Sequence, residues 1–262
     1  MLVFPQLPSG AQAQYPIKKH CVQRTIVNAL TDGHTVVFAD PGAALWQWQL
    51  TYQNLADTEI ADLQQFFATC EGPLNAFTFL DPLSNLLTWS EALTQPVWEA
   101  SSLLQFTPDI LDSTGGTAAT RIVNPTATDL TLQQTINAPG WFSYCLSVYV
   151  RGQSSIGPSL FLQAGAASSR TPYALHANWV RVGLGATLNT TAKSLIAGIV
   201  IPAGQSVDVF GFQLEPQPTS SAYKRSFSAG GVHPSAHFGN DAFSCTTSGP
   251  NSHSCELTII AR

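Results

Sequence analysis

The chain has 262 residues, 11 Lys and Arg against 16 Asp and Glu, and a net charge of −5; two basic pairs, Lys18-Lys19 and Lys224-Arg225, are too few for a nucleic-acid binder, which needs clustered cations. Only 10% of residues are charged and 44% are apolar, which excludes disorder and, with 24 Ser, 25 Thr, 19 Gly and 17 Pro, points to a β protein. No apolar run reaches the roughly 18 residues of a membrane span, so membrane insertion is not expected, and the start Met1-Leu2-Val3-Phe4-Pro5 does not read as a secretory signal.

Arg24 to Leu30 and Thr35 to Ala39 are β-rich runs around Thr31-Asp32-Gly33-His34, a hairpin signal built on Asp-Gly. Trp46, Trp48, Leu50 and Tyr52 alternate with Gln47, Gln49, Thr51 and Gln53, a strand with one apolar and one polar face. A single helix follows, with Asp57 as its expected cap. Ile60, Leu63, Phe66, Phe67 and Cys70 lie on one face, and Gly72-Pro73 is the stop. Ala76 to Leu80 returns to strand. Beyond Leu83 only strand-like runs recur: Thr131 to Ile136, Tyr144 to Val150, Ser159 to Gln163, Trp179 to Leu184, Ser194 to Ile201 and Val207 to Leu214. Their turn-separated spacing is that of a β-sandwich. Ser226 to Gly231 reads as a linker, and Ala242 to Thr246 with Ser254 to Ile260 close the chain. Two strands are marginal alone, so these two must join an earlier sheet. The economical topology is a small β-sandwich or barrel-like domain with one α-helix, residues 1–82 plus 230–262, interrupted by a jelly-roll β-sandwich at 83–229.

Chemistry-bearing motifs are thin. No G-x-S-x-G, H-E-x-x-H, P-loop or G-x-G-x-x-G occurs, and no cofactor, metal site or catalytic set is expected. His233 and His237 are four apart, but Pro234 and Gly230-Gly231 argue for a surface loop rather than a ligand-bearing helix. Cys21, Cys70, Cys145, Cys245 and Cys255 read as free thiols, with a Cys245–Cys255 bridge conceivable across a hairpin. Glu91, Glu99, Asp109, Asp112, Asp129, Asp208 and Glu215 are the carboxylates that a glycosidase would draw on, each isolated in sequence and most of them better read as turn residues or solvated charges. Among the tryptophans, Trp89 and Trp98 are candidates to stack on a sugar ring; Trp179, in an alternating Trp-Val-Arg-Val strand, reads as core.

Two resemblances follow from these segments. Asn85-Leu86-Leu87-Thr88-Trp89-Ser90-Glu91, Leu146 to Arg151, Trp179-Val180-Arg181-Val182, Phe210 to Glu215 and Ser220-Ser221-Ala222-Tyr223 resemble, in order, landmarks of the carbohydrate-binding-like jelly-roll modules of phage tail proteins. The strand Trp46 to Tyr52, the helix with Leu63-Gln64-Gln65-Phe66-Phe67, Glu71 to Pro82 and the returning pair around Cys245 and Cys255 resemble the distal tail and minor tail (tail-tip hub) family. The resemblance implies a non-enzymatic structural virion protein of the tail tip, made in the host bacterial cytoplasm. It would close on itself in a ring, most often a hexamer, and join the tail tube to tail-tip and baseplate proteins. Trp46, Trp48 and Phe79 would serve the ring interface, and the outward sandwich would meet host cell-surface glycans through Trp89 and Trp98. The alternatives are a free carbohydrate-binding or adhesin-like protein and, third, a glycan-degrading enzyme.

Overall fold

The computed structural model describes residues 2–10, 12–154 and 156–262. Its elements in chain order are β1 (Ile17–Ala29), β2 (Thr35–Leu55), α1 (Asp57–Thr69), β3 (Phe77–Leu80), β4 (Glu99–Ala100), β5 (Gln105–Ile110), β6 (Ala119–Val123), β7 (Leu130–Ile136), β8 (Ser143–Arg151), β9 (Ser159–Ala164), β10 (Ala167–Pro172), β11 (Val180–Thr187), β12 (Leu195–Ile201), β13 (Ser206–Glu215), β14 (Val232–Phe238), β15 (Cys245–Gly249) and β16 (Ser252–Ala261). Among the described residues the protein is mainly β with one helix. The chain divides into two compact units, one made of Met1–Pro8, Gln12–Phe79 and His233–Arg262, the other of Ser9–Ala11 and Leu80–Val232.

The first unit is a six-stranded sheet in the order β1-β2-β16-β14-β3, with β15 hung on β16. The Asp-Gly turn closes the β1–β2 hairpin: Leu30 N donates to His34 O at 2.7 Å and Gly33 takes φ +86°, which only glycine adopts cheaply. The alternation of β2 puts Trp48, Leu50 and Tyr52 inside. They meet Ile60 and Leu63 of α1 and an aromatic cluster of Phe4, Phe66, Phe77, Phe79 and Phe238. At the start of α1 the cap is Ala56, not Asp57. The Glu59 carboxylate reaches back to accept from Ala56 N at 2.8 Å, while Asp57 Oδ1 engages His253 Nε2 at 2.6 Å.

Two further expectations change. The segment around His233 and His237 is not a surface loop but β14, paired with β16 through His237↔Ile260 and Phe238↔Ile259; its Phe238 is fully buried, and that burial makes it a strand. Ser226 to Gly231 is not a free linker. Trp89 N donates to Phe227 O at 2.7 Å, Ser226 N to Ser90 Oγ at 2.9 Å and Gly231 N to Asn85 O at 2.7 Å. Cys245 stands directly opposite Cys255 across β15 and β16. Both are free thiols, and burial, then the charges of Cys245 and Glu256, push the Cys255 thiol up to about 12.

The second unit is a sandwich of two five-stranded antiparallel sheets, β10-β9-β12-β7-β4 and β11-β8-β13-β6-β5. Leu132, Leu160, Leu162 and Ile199 of the first sheet and Leu146, Val148, Val209 and Leu214 of the second are all buried, as inward-facing alternation requires. The outer face of the second sheet positions the site.

Candidate functional site

The residues singled out in the sequence separate on folding. Trp98 is only 5% exposed, its ring 5.0 Å from Phe212 and its indole N–H donating to Trp89 O at 3.0 Å. It is a core residue and cannot offer a face to a sugar. Trp89 is half-buried at φ +51°, held by the bonds just described. In the first unit Trp48 and Phe79 are fully buried against one another at 5.1 Å, so neither can serve as a ring interface. Both belong to the apolar face that β2 and β3 bury. Trp46 lies on that face too, but β16 ends beside it, leaving it 40% exposed with the Lys19 ammonium 4.4 Å above its ring.

The structure instead assembles a cleft at one end of the outer sheet face. Antiparallel register places Arg121 of β6, Asp208 of β13 and Arg151 of β8 in one row across three adjacent strands. Side chains directly opposite each other in a ladder are close enough to bond, and these do. Arg121 donates through Nε to Asp208 Oδ1 at 2.7 Å and through Nη2 to Oδ2 at 3.2 Å. Arg151 donates to Oδ2 through Nε at 3.2 Å and Nη2 at 2.9 Å. Burial alone would push the Asp208 carboxyl up; the hydrogen bonds and charges of both arginines outweigh it and hold the group below the usual carboxylate range. The bond to Asp208, in turn, raises Arg121.

Arg151 also lies over the Trp179 ring at 4.6 Å, a cation–π contact that fixes the guanidinium plane. The core reading of Trp179 is therefore half right: the residue is half-buried, and it supports the edge of the cleft. Two loops complete the walls. Gly152 N donates to His176 O at 2.9 Å, bringing Gln153 and Ser154 to one side; Gly204 N donates to Thr126 O at 2.9 Å, bringing Gln205 and Ser206 to the other. The cleft holds about 660 Å³ and is lined by these amides, hydroxyls and the charged row.

Farther along the same face the sheet is covered by its own chain. Glu215, fully buried, accepts from Lys224 Nζ at 2.8 Å and from Ser221 N at 2.9 Å. Desolvation raises this carboxyl, and the Lys224 and Ser221 bonds outweigh it, leaving it lowered. Tyr223 packs on Phe210 at 5.4 Å and over the bulge at Gly211, where a Cβ would meet its ring at 3.0 Å. The other carboxylates are held apart. Glu91 pairs with Arg225 and Tyr223, Asp112 caps the turn to Ala118, Glu99 accepts from Gln133 and Thr135, and Asp129 pairs with Arg170. No two of these share a hydrogen-bond partner among the described residues. Nor do three His, Cys, Asp or Glu side chains gather into a metal-binding group there.

In the sequence Arg121 carries no motif, and Arg151 stands only at the end of a strand-like run. Asp208 stood among seven scattered carboxylates. The arginines lie 87 and 57 residues from Asp208 in the chain, so only strand pairing unites them. No local pattern marks the row: the arginine two residues after Trp179 is Arg181, which donates to Ser147 and Ser221 instead.

No protein-family model matches this chain, and no curated protein matches it. Among solved structures it is similar to the enzymatically active domain of tailspike protein 4 of bacteriophage CBA120, with a TM-score of 0.41 and 11% identity over 52% of this chain and 22% of that one. It is similar to the CBM22-1 xylan-binding domain of Paenibacillus barcinonensis Xyn10C (TM-score 0.39, 12% identity, 53% and 95% of the two chains). A third is the C-terminal family 22 carbohydrate-binding module of Clostridium thermocellum Xyn10B (TM-score 0.40, 13% identity, 54% and 96%).

Proposed function

We propose that this chain binds carbohydrate, without turning it over, through the cleft of its second unit. The carrying observation is the Arg121–Asp208–Arg151 row backed by Trp179 and ringed by Gln153, Ser154, Gln205 and Ser206. Saccharides present dense, directional hydroxyls over a compact ring, and such ligands are held by convergent planar donors and acceptors with an aromatic support. Binding rather than hydrolysis fits the state of Asp208, which two guanidiniums keep ionised; a general acid needs its proton retained near neutral pH. A glycan array probed with the full chain tests the reading. A discrete set of bound glycans, lost in Trp179→Ala and Asp208→Asn, is expected; an array with no bound glycan sinks it.

A second reading, the ring-forming subunit of a phage tail tip, is favoured by a different observation. β16 pairs with β2 only from Leu55 down to Trp46. Arg24–Ala29 and Thr35–Asp40 therefore form a two-stranded ribbon with no third strand among the described residues. The ribbon exposes Ile26, Val27, Val37 and Phe38, with Val27 61% and Phe38 51% exposed. Apolar ribbons of this kind gain by packing on another surface. In this reading the sandwich decorates a virion, and glycan binding is its contact with the host.

A further inference from the structure

Resting on the glycan-binding reading, we infer that the cleft selects saccharides bearing a carboxylate, such as oligomers of a hexuronic acid. Three observations carry this. First, the row holds two guanidiniums against one carboxylate, and no other titratable side chain among the described residues lines the cleft. The site is thus locally cationic in a chain whose net charge is −5. Second, Asp208 uses only Nε and Nη2 of each arginine. Each Nη1 retains two N–H groups, and no described residue accepts from them. Asp208 itself has a side chain 6% exposed, while that of Arg121 is 49% exposed, so the anion lies beneath the cations. Third, both guanidiniums are fixed in plane, by bidentate contact at Arg121 and by Trp179 beneath Arg151. The edge of each guanidinium that Asp208 leaves free, Nη1 with the second N–H of Nη2, meets a planar carboxylate with two parallel hydrogen bonds.

The flanking amides and hydroxyls match what remains of a uronate once its carboxylate is placed. Gln153, Ser154, Gln205 and Ser206 can each donate or accept toward ring hydroxyls, and none repels an anion. A sulfate ester is the competing anionic group. Two of its oxygens also meet a guanidinium fork, so titration separates the two anions.

Titration calorimetry on the full chain with trigalacturonic acid, the neutral galactotriose and a sulfated trisaccharide decides the matter. Charge-assisted bonds of this kind predict roughly 10-fold or greater preference for the uronate over the neutral sugar, shrinking as salt is raised. Arg121→Gln and Arg151→Gln should each erase most of that preference while thermal unfolding shows the fold intact. Arg121, being half exposed, gives the variant least prone to misfold. Equal affinity for the neutral sugar overturns the inference and leaves the glycan-binding reading standing. So does a sulfated sugar that binds as tightly as the uronate, or a preference that survives both substitutions. Failure of every saccharide in a wider neutral and acidic panel overturns both.

Discussion

At the scale of single residues, the tryptophans show how exposure decides role. Trp98 and Trp48 have the chemistry of contact residues but are sealed in the cores of their units. Trp98→Ala should cost about 3–5 kcal/mol in urea unfolding of the sandwich, because the cavity against Phe212 cannot fully collapse, and should leave glycan selectivity unchanged. A variant with parental stability would place Trp98 outside the core. Acid response is a second residue-scale consequence. In the folded state Asp208 and Glu215 are lowered, despite burial, by their cationic and hydroxyl partners. The unfolded chain titrates these groups near the ordinary value of about 4. Their stabilisation is therefore complete above that value and is lost as pH falls from about 4 through the lower folded values. Melting temperature followed from neutral to acid pH should hold and then drop in that window, with a smaller drop in Asp208→Asn.

At the scale of elements, the β1–β2 ribbon is the least self-sufficient piece. Arg24 Nε donates to Asp40 Oδ2 at 2.9 Å across it, an exposed contact of about 1 kcal/mol at most. A double change, Ile26→Ser with Phe38→Ser, should leave the melting temperature within a few degrees of the parent. If the ribbon joins copies of this chain, the same change should abolish the oligomer in sedimentation velocity. A parent chain that stays monomeric at all concentrations removes the assembly reading. Element by element, much was legible from the sequence. The Asp32-Gly33 turn, the alternation of β2, the periodicity of α1 and the runs that became β7, β8, β9, β12 and β13 each carry a local pattern. β5, β6, β10 and β14 do not. Gln105-Phe106-Thr107-Pro108-Asp109-Ile110 and Val232-His233-Pro234-Ser235 mix polar residues and proline, and become strands because a neighbouring ladder recruits them.

At the scale of the molecule, residues 80–232 begin and end side by side. Asp81 N donates to Gly231 O at 2.7 Å, and Gly231 N to Asn85 O at 2.7 Å. The ends of this unit are thus joined by its own hydrogen bonds, and only the short segment Ser9–Ala11 is added from elsewhere in the chain. Expressed alone, residues 80–232 should unfold in one cooperative transition and bind the same glycans as the full chain. A fragment that is aggregated or molten would show that the sandwich depends on the rest of the chain.

By itself the sequence determined the class: weak charge, frequent hydroxyls and period-two runs leave a β protein with one helix. These are short-range properties, each encoded within a few residues of turn chemistry or alternation. Only the tertiary structure decided which aromatics are buried and where the polar groups converge. The row Arg121–Asp208–Arg151 exists because β6, β13 and β8 are neighbours in one register. A slip of one residue would send every side chain of a strand to the other face, and no window of the sequence records that register. The scarcity of charge thus acquires a location: two of the 11 basic residues and one of the 16 acidic residues stand together in the one cleft that the glycan-binding reading uses.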